Sequence, residues 1–247
     1  MAIALISGAS RGIGRATALL LAQEGYTVAV NYHHNIKAAT EVVNTIVESG
    51  GKATALRADI SDEAQVMAMF EAIDRMGEPL MALVNNAGIL FTQCTVESLS
   101  AERINRVLAT NVTGYFLCCR EAVKRMSHRH GGKGGAIVNV SSAASRLGAP
   151  GEYVDYAASK GAVDTLTTGL ALEVAAQGIR VNGVRPGLIY TEMHASGGEP
   201  GRVDRVKNSL PMQRGGQPEE VAQAIVWLLS EKASYVTGSF IELAGGK

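Results

Sequence analysis

Tyr156 and Lys160, in the stretch YVDYAASK, have the side-chain types and the spacing for proton transfer. They are four residues apart, so on a helix they share one face. A phenol with a pKa near ~10 is a poor base at neutral pH, but a lysine ammonium beside it favours phenolate and lowers that pKa. The pair can then pass a proton to or from a substrate oxygen. An amphipathic helix without chemistry gives the same spacing, and Tyr153, followed by Ala157 four residues on, has no such partner.

A serine, either Ser142 or Ser141, and an asparagine, Asn111, are further candidates for the same site. Ser142 ends a predicted strand, AIVNVSS, and a hydroxyl there can donate to a carbonyl oxygen as charge develops on it. Ser141 is the other candidate, because strand alternation does not fully exclude it. Asn111 falls inside an apolar helical stripe, where a buried amide needs its hydrogen bonds met. Asn111 is therefore either a satisfied core asparagine or a functional residue.

A glycine-rich turn lies near the N-terminus. Gly8 and Gly12 stand between an apolar run at 2–7 and a helical pattern at 13–24, and Gly14 is the second residue of that pattern. Glycines in this place let the backbone turn tightly and approach a pyrophosphate, while the amides at the helix start supply positive potential. The alternative is a strand–helix turn without a ligand.

Short β-branched runs alternate with long helical patterns along the whole chain. The predicted strands are 2–7, 27–32, 52–58, 81–85, 136–141, 179–187 and 238–244. The predicted helices are 13–24, 36–49, 62–76 (capped by Ser61), 100–129, 152–177 and 218–230, and 189–213 is expected to be irregular. This alternation predicts one α/β domain over 1–247, a Rossmann-type doubly wound parallel sheet of about seven strands. Ligands would bind beyond the carboxyl ends of the strands.

Composition excludes several classes of function. The 247 residues carry 23 basic and 23 acidic side chains, so we expect no nucleic-acid partner and no anionic membrane surface. No apolar run is long enough to span a bilayer, and the N-terminus lacks the features of a signal peptide. Cys94, Cys118 and Cys119 fit neither a disulfide framework nor a metal spacing. We expect no metal and a reducing, cytoplasmic location.

The motifs together resemble those of the short-chain dehydrogenase/reductase family over the whole chain. The glycine turn matches the family's T-G-x-x-x-G-x-G, with Ser7 in place of Thr. The other matching segments, in chain order, are Asp59-Ile60, Asn85-Asn86-Ala87-Gly88, Tyr156 to Lys160, Pro186-Gly187 with Thr191, and Val236-Thr237-Gly238. The chain looks most like bacterial glucose-dehydrogenase-like and 3-oxoacyl-reductase-like members.

The resemblance implies hydride transfer between a nicotinamide cofactor and a substrate alcohol or carbonyl. The implied catalytic residues are Asn111, Ser142, Tyr156 and Lys160, with the Asn111 carbonyl holding a water that connects Lys160 to solvent. Ser142 lies one residue further from Tyr156 than is usual, which we interpret as an insertion in the loop 145–153. Ala244 stands where many members have Asp before paired glycines. The implied cofactor-binding residues are Gly8, Ser10, Arg11, Gly12, Ile13, Gly14, Tyr32, His33, Asp59, Ile60, Asn86, Ala87, Gly88, Tyr156, Lys160, Pro186, Gly187, Ile189 and Thr191.

The residues after the second strand favour NADP over NAD. NAD enzymes usually place a carboxylate there to bond the ribose 2′-hydroxyl, but this position is Tyr32, followed by His33. Arg11, in the glycine turn, can reach a 2′-phosphate as a charged donor. The alternative is that Arg11 is a solvated loop residue.

The motifs and the family resemblance lead to expectations about function and assembly. We expect an NAD(P)-dependent oxidoreductase acting on a small alcohol, sugar or carbonyl compound, with a 3-oxoacyl-thioester reductase and a non-catalytic nucleotide-binding regulator as the alternatives. The segment 189–213 would form a lid, in which Glu192, His194 and Arg202 are either substrate contacts or surface residues. The family implies a homotetramer, and small residues form a helix face that suits it: Ala157, Gly161, Asp164, Thr168 and Ala171.

Overall fold

A computed structural model describes all residues 1–247, and its centre is one seven-stranded parallel sheet. The strands are β1 (Ile3–Ile6), β2 (Thr27–Tyr32), β3 (Lys52–Arg57), β4 (Leu80–Asn85), β5 (Gly135–Val140), β6 (Ile179–Pro186) and β7 (Phe240–Leu243). Their order in the sheet is β3-β2-β1-β4-β5-β6-β7. The predicted doubly wound sheet is confirmed, and every predicted strand boundary lies within two residues of the observed one.

Helices connect the strands. They are α1 (Gly12–Gln23), α2 (Ile36–Glu48), α3 (Glu63–Asp74), α4 (Ala101–Leu108), α5 (Gly114–Met126), α6 (Ala144–Leu147), α7 (Val154–Val174), α8 (Met193–Ser196), α9 (Arg202–Val206) and α10 (Pro218–Leu229). None of these helices combines the length and the apolar content that crossing a bilayer requires.

Apolar side chains cover both faces of the sheet, because its strands are hydrophobic on both sides. On one face α3, α5 and α7 pack through buried side chains such as Phe70, Tyr115 and Val163. On the other face α1, α2 and α10 pack through Leu21 and Ile225, among others. Burying one large apolar side chain contributes about 1.5–3 kcal/mol. The two layers therefore hold the carboxyl ends of the strands, where the candidate site lies, in fixed positions.

Side chains from neighbouring strands fix the glycine turn after β1. The Ser7 hydroxyl oxygen accepts hydrogen bonds from the main-chain N–H groups of Asn86 (2.9 Å) and Ala87 (3.0 Å). Asn31 Oδ1 accepts one from the N–H of Gly8 at 3.1 Å. Asn86 Nδ2 donates to the main-chain oxygens of Ser7 and Gly8 at 3.0 and 3.1 Å. The hydroxyl at position 7 thus ties the turn to β4, at the point where the strand order reverses.

The start of α3 differs from the prediction, which made Ser61 its cap. The cap is Asp62, whose carboxylate accepts a hydrogen bond from the N–H of Gln65 at 3.1 Å. Ser61 instead donates its hydroxyl to Asp59 Oδ1 at 2.7 Å. Aspartate and serine are similarly good N-caps, so the competing bond to Asp59 decides which of them caps the helix.

The long helix predicted over 100–129 is broken. A π-helical segment, Ala109–Thr113, separates α4 from α5 and contains Asn111. After Met126 the chain makes a short 3₁₀ turn, and the helix predicted over 152–177 likewise ends at Val174 with a 3₁₀ turn. Continuous apolar periodicity does not reveal a π turn, whose extra residue shifts the register of the stripe locally.

The segment between β5 and α7 contains α6 and a tight turn. Gly148, Ala149 and Gly151 have φ angles of 75°, 45° and 73°. The left-handed region is costly for Ala149, which carries a Cβ, so this turn is strained at one non-glycine position. It lies within 145–153, the loop to which the sequence analysis assigns an extra residue before Tyr156.

The segment 189–213 is more ordered than predicted, because it contains α8 and α9. Polar contacts fasten it to the rest of the chain. Arg202 forms an ion pair with Glu152 and lies 3.2 Å from Glu199. Gln93 Nε2 donates to Glu199 Oε2 at 2.8 Å. The segment therefore covers the start of α7 and the loop that follows β4.

The small residues predicted as one face of α7 are split between core and surface. Ala157 and Ala171 are 4% and 1% exposed and pack inside the chain. Asp164 is held by Arg185 at 3.0 Å. The free side of the helix includes Gly161, where a Cβ would meet nothing within 4 Å, and Leu172, which is 80% exposed. The accessible face is therefore rotated from the predicted one.

Candidate active site

Tyr156 and Lys160 lie one turn apart on α7, at the carboxyl ends of β4 and β5. Lys160 is only 2% exposed. Its Nζ donates hydrogen bonds to the main-chain oxygen of Val140 at 2.7 Å and to the hydroxyl of Tyr115 at 3.3 Å. The same nitrogen lies 5.6 Å from the centre of the Tyr156 ring. Lys160 is therefore next to the phenol ring without being bonded to its hydroxyl.

Burial controls the pKa values of both groups. It raises the pKa of Tyr156 to about 12, and the nearby Ser142 hydroxyl opposes this shift. It lowers the pKa of Lys160 to about 7, opposed by the Asp164 carboxylate. The expected lowering of the phenol pKa by Lys160 is absent from this arrangement, because desolvation disfavours both charged forms. At neutral pH the Tyr156 side chain is therefore a neutral phenol.

The structure distinguishes the two candidate serines. Ser141 is 2% exposed, and its hydroxyl donates to the main-chain oxygen of Lys160 at 3.2 Å. Ser142 donates to the main-chain oxygen of Pro186 at 3.4 Å and accepts from the N–H of Ala144 at 3.1 Å. Its hydroxyl lies close to the Tyr156 phenol but outside ordinary hydrogen-bond geometry. Ser141 thus stabilises α7, and Ser142 is the hydroxyl next to the phenol.

Asn111 is fully buried and all its polar side-chain atoms are paired. Its Oδ1 accepts from the N–H of Ile89 at 2.8 Å, and its Nδ2 donates to the Ile89 oxygen at 2.9 Å. Nδ2 also donates to the Ser159 hydroxyl at 3.1 Å. Ser159 in turn donates to the main-chain oxygen of Tyr156 at 2.6 Å. One amide therefore connects the loop after β4 to the helix turn that carries Tyr156.

A cavity of about 740 Å³ follows the glycine turn and the ends of β2, β3 and β4. The predicted cofactor-binding residues that line it are Gly8, Ser10, Arg11, Gly12, Ile13, Tyr32, His33, Asp59, Ile60, Asn86, Ala87, Gly88 and Thr191. Lining residues that the sequence analysis missed include His34, Asn35, Ser61, Arg106 and Thr110. Gly14 lies outside the cavity.

Close packing leaves no room for a side chain at two glycines of the turn after β1. Gly8 has φ 63°, and a Cβ there would lie 2.9 Å from the Cα of Ala87. A Cβ at Gly14 would lie 2.5 Å from the main-chain oxygen of Gly8 and from Asn86 Nδ2. Gly14 is therefore required for packing beneath the turn. No acidic residue lies in the first turn of α1, so its free N–H groups are available to an anion.

Basic and aromatic side chains surround the far end of this cavity. The rings of His33 and His34 have centroids 3.5 Å apart, and His33 Nε2 lies 3.6 Å from Asp59 Oδ2. Tyr32 is 8% exposed, and Arg11 is exposed. Asp59 is the one acidic group among these five, and its Oδ1 is already held by Ser61.

A second cavity of about 340 Å³ adjoins the first and shares Ile13, Asn86, Thr191 and Met193 with it. The other predicted site residues that line it are Ser142, Tyr156, Lys160, Pro186, Gly187 and Ile189. Its walls also include Leu90, Leu147, Pro150, Tyr153, His194, Arg202, Val206, Leu210 and Lys247. Most of these residues come from loops and the segment 189–213, where no periodic sequence signal indicates which side chains turn inward.

The cysteines contribute no second site. Cys118 and Cys119 are buried in α5, and burial raises the pKa of Cys119 to about 12. All three cysteines are free thiols. The His, Cys, Asp and Glu side chains do not form a group of three that could hold a metal ion.

The chain is similar to known proteins over almost all of its length. A family model described as enoyl-(acyl carrier protein) reductase matches residues 8–247. The chain is 83% identical over 247 residues to a protein of Escherichia coli (strain K12) described as uncharacterized oxidoreductase YgfF, covering 100% of both chains. It is 38% identical to glucose 1-dehydrogenase 2 of Bacillus subtilis (strain 168), covering 98% of this chain and 93% of the relative.

A solved structure gives the same assignment. It is a variant of a Serratia marcescens short-chain dehydrogenase/reductase, 33% identical in sequence, with a TM-score of 0.91 over 99% of this chain and 97% of the other. The chain therefore belongs to the short-chain dehydrogenase/reductase family, whose members use NAD(P), and it is an oxidoreductase that acts on CH–OH or C=O groups.

Proposed function

We propose that the protein transfers a hydride between NADP(H) and a small alcohol, sugar or carbonyl compound, with Tyr156 exchanging the proton. One observation carries this proposal. The phenol of Tyr156, the buried amine of Lys160 and the hydroxyl of Ser142 line one cavity, and that cavity adjoins the glycine turn. The coenzyme would pass from the first cavity into the second where the two join, at Ile13, Asn86, Thr191 and Met193, and its nicotinamide would meet the substrate oxygen beside Tyr156.

The coenzyme supplies and accepts the hydride when bound, and the chain's part is to hold and orient it. In this proposal the N–H groups at the start of α1 bind the pyrophosphate. Ala87 and Gly88 support the adenosine side, and Asp59 and Ile60 meet the adenine. Lys160 binds the nicotinamide ribose. Pro186, Gly187, Ile189 and Thr191 hold the carboxamide side.

Tyr156 is the proton donor in the direction of reduction. Its high pKa suits this role, because an alkoxide is a stronger base than a phenolate and takes the proton from a neutral phenol. The Ser142 hydroxyl donates a hydrogen bond to the same substrate oxygen as negative charge develops. Lys160, with its pKa of about 7, can return a proton to the phenolate at neutral pH.

Asn111 positions these groups. Its three hydrogen bonds connect Ile89 to Ser159, and so set the distance between the loop after β4 and the helix that carries Tyr156. The π-helical main chain at Asn111 can hold the water that links Lys160 to solvent.

NADP is the preferred coenzyme in this proposal. The phosphate end of the cavity carries Arg11, His33 and His34, and the end of β2 has no carboxylate. An arginine donates charge-assisted hydrogen bonds to a phosphate oxygen. Two acidic residues line this cavity: Asp59, whose Oδ1 is held by Ser61, lies beside His33, and Glu192 lies beside Gly12.

We further propose that the chain forms one domain, that 189–213 is its lid, and that it works as a homotetramer in the cytoplasm. The open face of α7 around Gly161 and Leu172 supports assembly, because it lets another helix approach closely. Light scattering on the purified protein tests this, and a monomer would contradict it.

A substrate panel tests the reaction itself. Purified enzyme is given NADP(H) or NAD(H) with sugars, polyols, small ketones and a 3-oxoacyl thioester, and nicotinamide absorbance is followed. We expect turnover of small oxo or hydroxy compounds with NADP(H). Turnover of the thioester alone would favour the 3-oxoacyl-thioester reductase. Tight NADP binding without turnover of any class would favour the non-catalytic regulator.

A further inference from the structure

Tyr153 provides a second phenol in the cavity that contains Tyr156. It is the residue just before α7 and lines the same cavity wall. Tyr153 is only 6% exposed, so more than nine-tenths of it is buried. Its ring packs below the Arg202 guanidinium, whose central carbon lies 5.3 Å from the ring centre. Tyr153 is therefore held in place by its surroundings.

The Tyr153 hydroxyl makes no hydrogen bond within the chain, and its oxygen is not among the fully enclosed polar atoms, so it is open to the cavity. Two other tyrosines differ from Tyr153 because their hydroxyls donate hydrogen bonds within the chain. Tyr115 donates to the main-chain oxygen of Val140 at 3.2 Å, and Tyr190 donates to Asp204 Oδ1 at 2.9 Å. Gly197 explains how the lid accommodates this hydroxyl, because a Cβ there would lie 3.2 Å from the phenol oxygen. The unpaired hydroxyl thus lies between the cavity and the lid.

His194 offers a complementary group in the same cavity. Its Nε2 lies 2.9 Å from the main-chain oxygen of Ile189, so Nε2 must carry the hydrogen that it donates. Burial lowers the pKa of His194, which keeps the ring neutral at pH 7 and leaves Nδ1 as an acceptor. Nδ1 has no partner in the chain. A donor at Tyr153 and an acceptor at His194 match the needs of a hydroxyl group.

The charged side chains beside Tyr153 and Arg202 form ion pairs with one another. Arg202 is paired with Glu152 and Glu199, and Glu199 also binds Arg205. An anionic substrate group would have to displace a carboxylate from Arg202. Lys247, the other cation that lines the cavity, has no ion-pair partner, so the preference for an uncharged oxygen over a carboxylate or phosphate holds for the part of the cavity beside Tyr153 and Arg202.

We infer that Tyr153 is a specificity-determining residue that binds a second, uncharged oxygen of the substrate, a hydroxyl or a carbonyl remote from the carbon that reacts. This inference rests on the proposed function, because it takes Tyr156 as the group that meets the reacting oxygen. The substrate class is narrowed to small neutral hydroxy-carbonyl compounds, diols and sugars. Simple ketones and alcohols with a single oxygen leave Tyr153 unpaired.

Matched substrate pairs test the inference. Hydroxyacetone is compared with acetone, acetoin with butanone, and a sugar with its deoxy analogue, each with saturating NADPH or NADP. We expect wild-type kcat/KM to favour the member with the second oxygen. The variant Tyr153→Phe removes only the hydroxyl and should lower kcat/KM about 10-fold for that member, with little change for the other. The exposed Tyr235 supplies the control Tyr235→Phe, which should change neither.

Each contrary result has a distinct meaning. Because the Tyr153 hydroxyl bonds nothing in the chain, Tyr153→Phe should melt at the wild-type temperature, and a marked loss of stability would overturn the inference. The inference would also be overturned if Tyr153→Phe affected both members of a pair equally, or if the wild type turned over only single-oxygen substrates. In both cases an inactive Tyr156→Phe would leave the proposed function standing. Full activity of Tyr156→Phe would instead contradict the proposed function.

Discussion

The Nζ of Lys160 lies 5.6 Å from the centre of the Tyr156 ring, while its shortest hydrogen bond, at 2.7 Å, goes to the main-chain oxygen of Val140. The helix spacing thus brings the two residues together without an amine–phenol hydrogen bond. Both groups are desolvated, and both tend toward their neutral forms. The structure therefore shows no direct hydrogen bond by which the amine of Lys160 would stabilise a Tyr156 phenolate.

The low pKa of Lys160 has a consequence for stability. Burial lowers this pKa from the ordinary 10.5 to about 7. Between roughly pH 7 and 10 the unfolded chain therefore binds the proton more tightly, and the lysine's contribution to folding becomes more favourable as pH rises. In Lys160→Met this contribution is absent. Between pH 8 and 9 we expect the free energy of unfolding of the wild type, relative to that of Lys160→Met, to increase by about 1 kcal/mol per pH unit.

Urea unfolding of both proteins at several pH values measures this difference. The loss of the hydrogen bond to Val140 shifts the variant's stability by a constant amount, so the slope with pH is the quantity to compare. A difference that does not change with pH would show that Lys160 keeps an ordinary pKa in the folded protein.

Arg11 provides a prediction about coenzyme choice. Arg11→Ala removes a charged donor from the glycine turn, and a charge-assisted hydrogen bond is worth about 1.5–3 kcal/mol. We expect kcat/KM for NADP to fall roughly 10- to 100-fold and that for NAD to change little. Steady-state kinetics with both coenzymes measures the ratio.

Arg15 is the matched control, because it lies on α1 one turn after Arg11, is exposed, and does not line the dinucleotide cavity. Arg15→Ala should leave the NADP/NAD ratio unchanged. If Arg11→Ala also preserves the ratio, the assignment of Arg11 to the 2′-phosphate is wrong.

Asn111 provides a prediction about stability. Asn111→Ala leaves the partly buried N–H and C=O groups of Ile89 without partners, and a group left unsatisfied away from water costs about 1–3 kcal/mol. We expect a loss of about 2–4 kcal/mol in chemical denaturation, together with lower turnover, because Ser159 also loses a bond. Asn105→Ala, an exposed position on α4, is the control and should unfold like the wild type. Wild-type stability of Asn111→Ala would mean that water replaces these bonds without cost.

Much of this architecture follows from the amino-acid sequence. Alternating strand and helix patterns predict the sheet, since local periodicity reports which side chains meet the core. The glycine turn and the spacing of Tyr156 and Lys160 are local patterns too, and the structure brings both to the carboxyl edge of the sheet. Ser142 and Ser141 are adjacent, and only the packing of α7 against β5 shows that Ser141 binds the helix backbone.

The remaining features depend on tertiary contacts. The π turn around Asn111 is set by bonds to Ile89 and Ser159, which are remote in sequence. The pKa values of Tyr156 and Lys160 follow from burial, which spacing does not report. Tyr153 has no lysine four residues on, so its spacing does not mark it as a site residue, but the segment 189–213 encloses it in the cavity.

Tyr156→Phe, measured in the holoenzyme, tests the central claim most directly. This change removes the phenol hydroxyl and keeps the ring, so the coenzyme should still bind with a Kd close to that of the wild type. We predict that kcat falls by about 10²- to 10⁴-fold on every substrate that the wild type turns over, as expected when a positioned proton donor is lost. Turnover at the wild-type rate by Tyr156→Phe, with NADPH bound normally, would contradict the account.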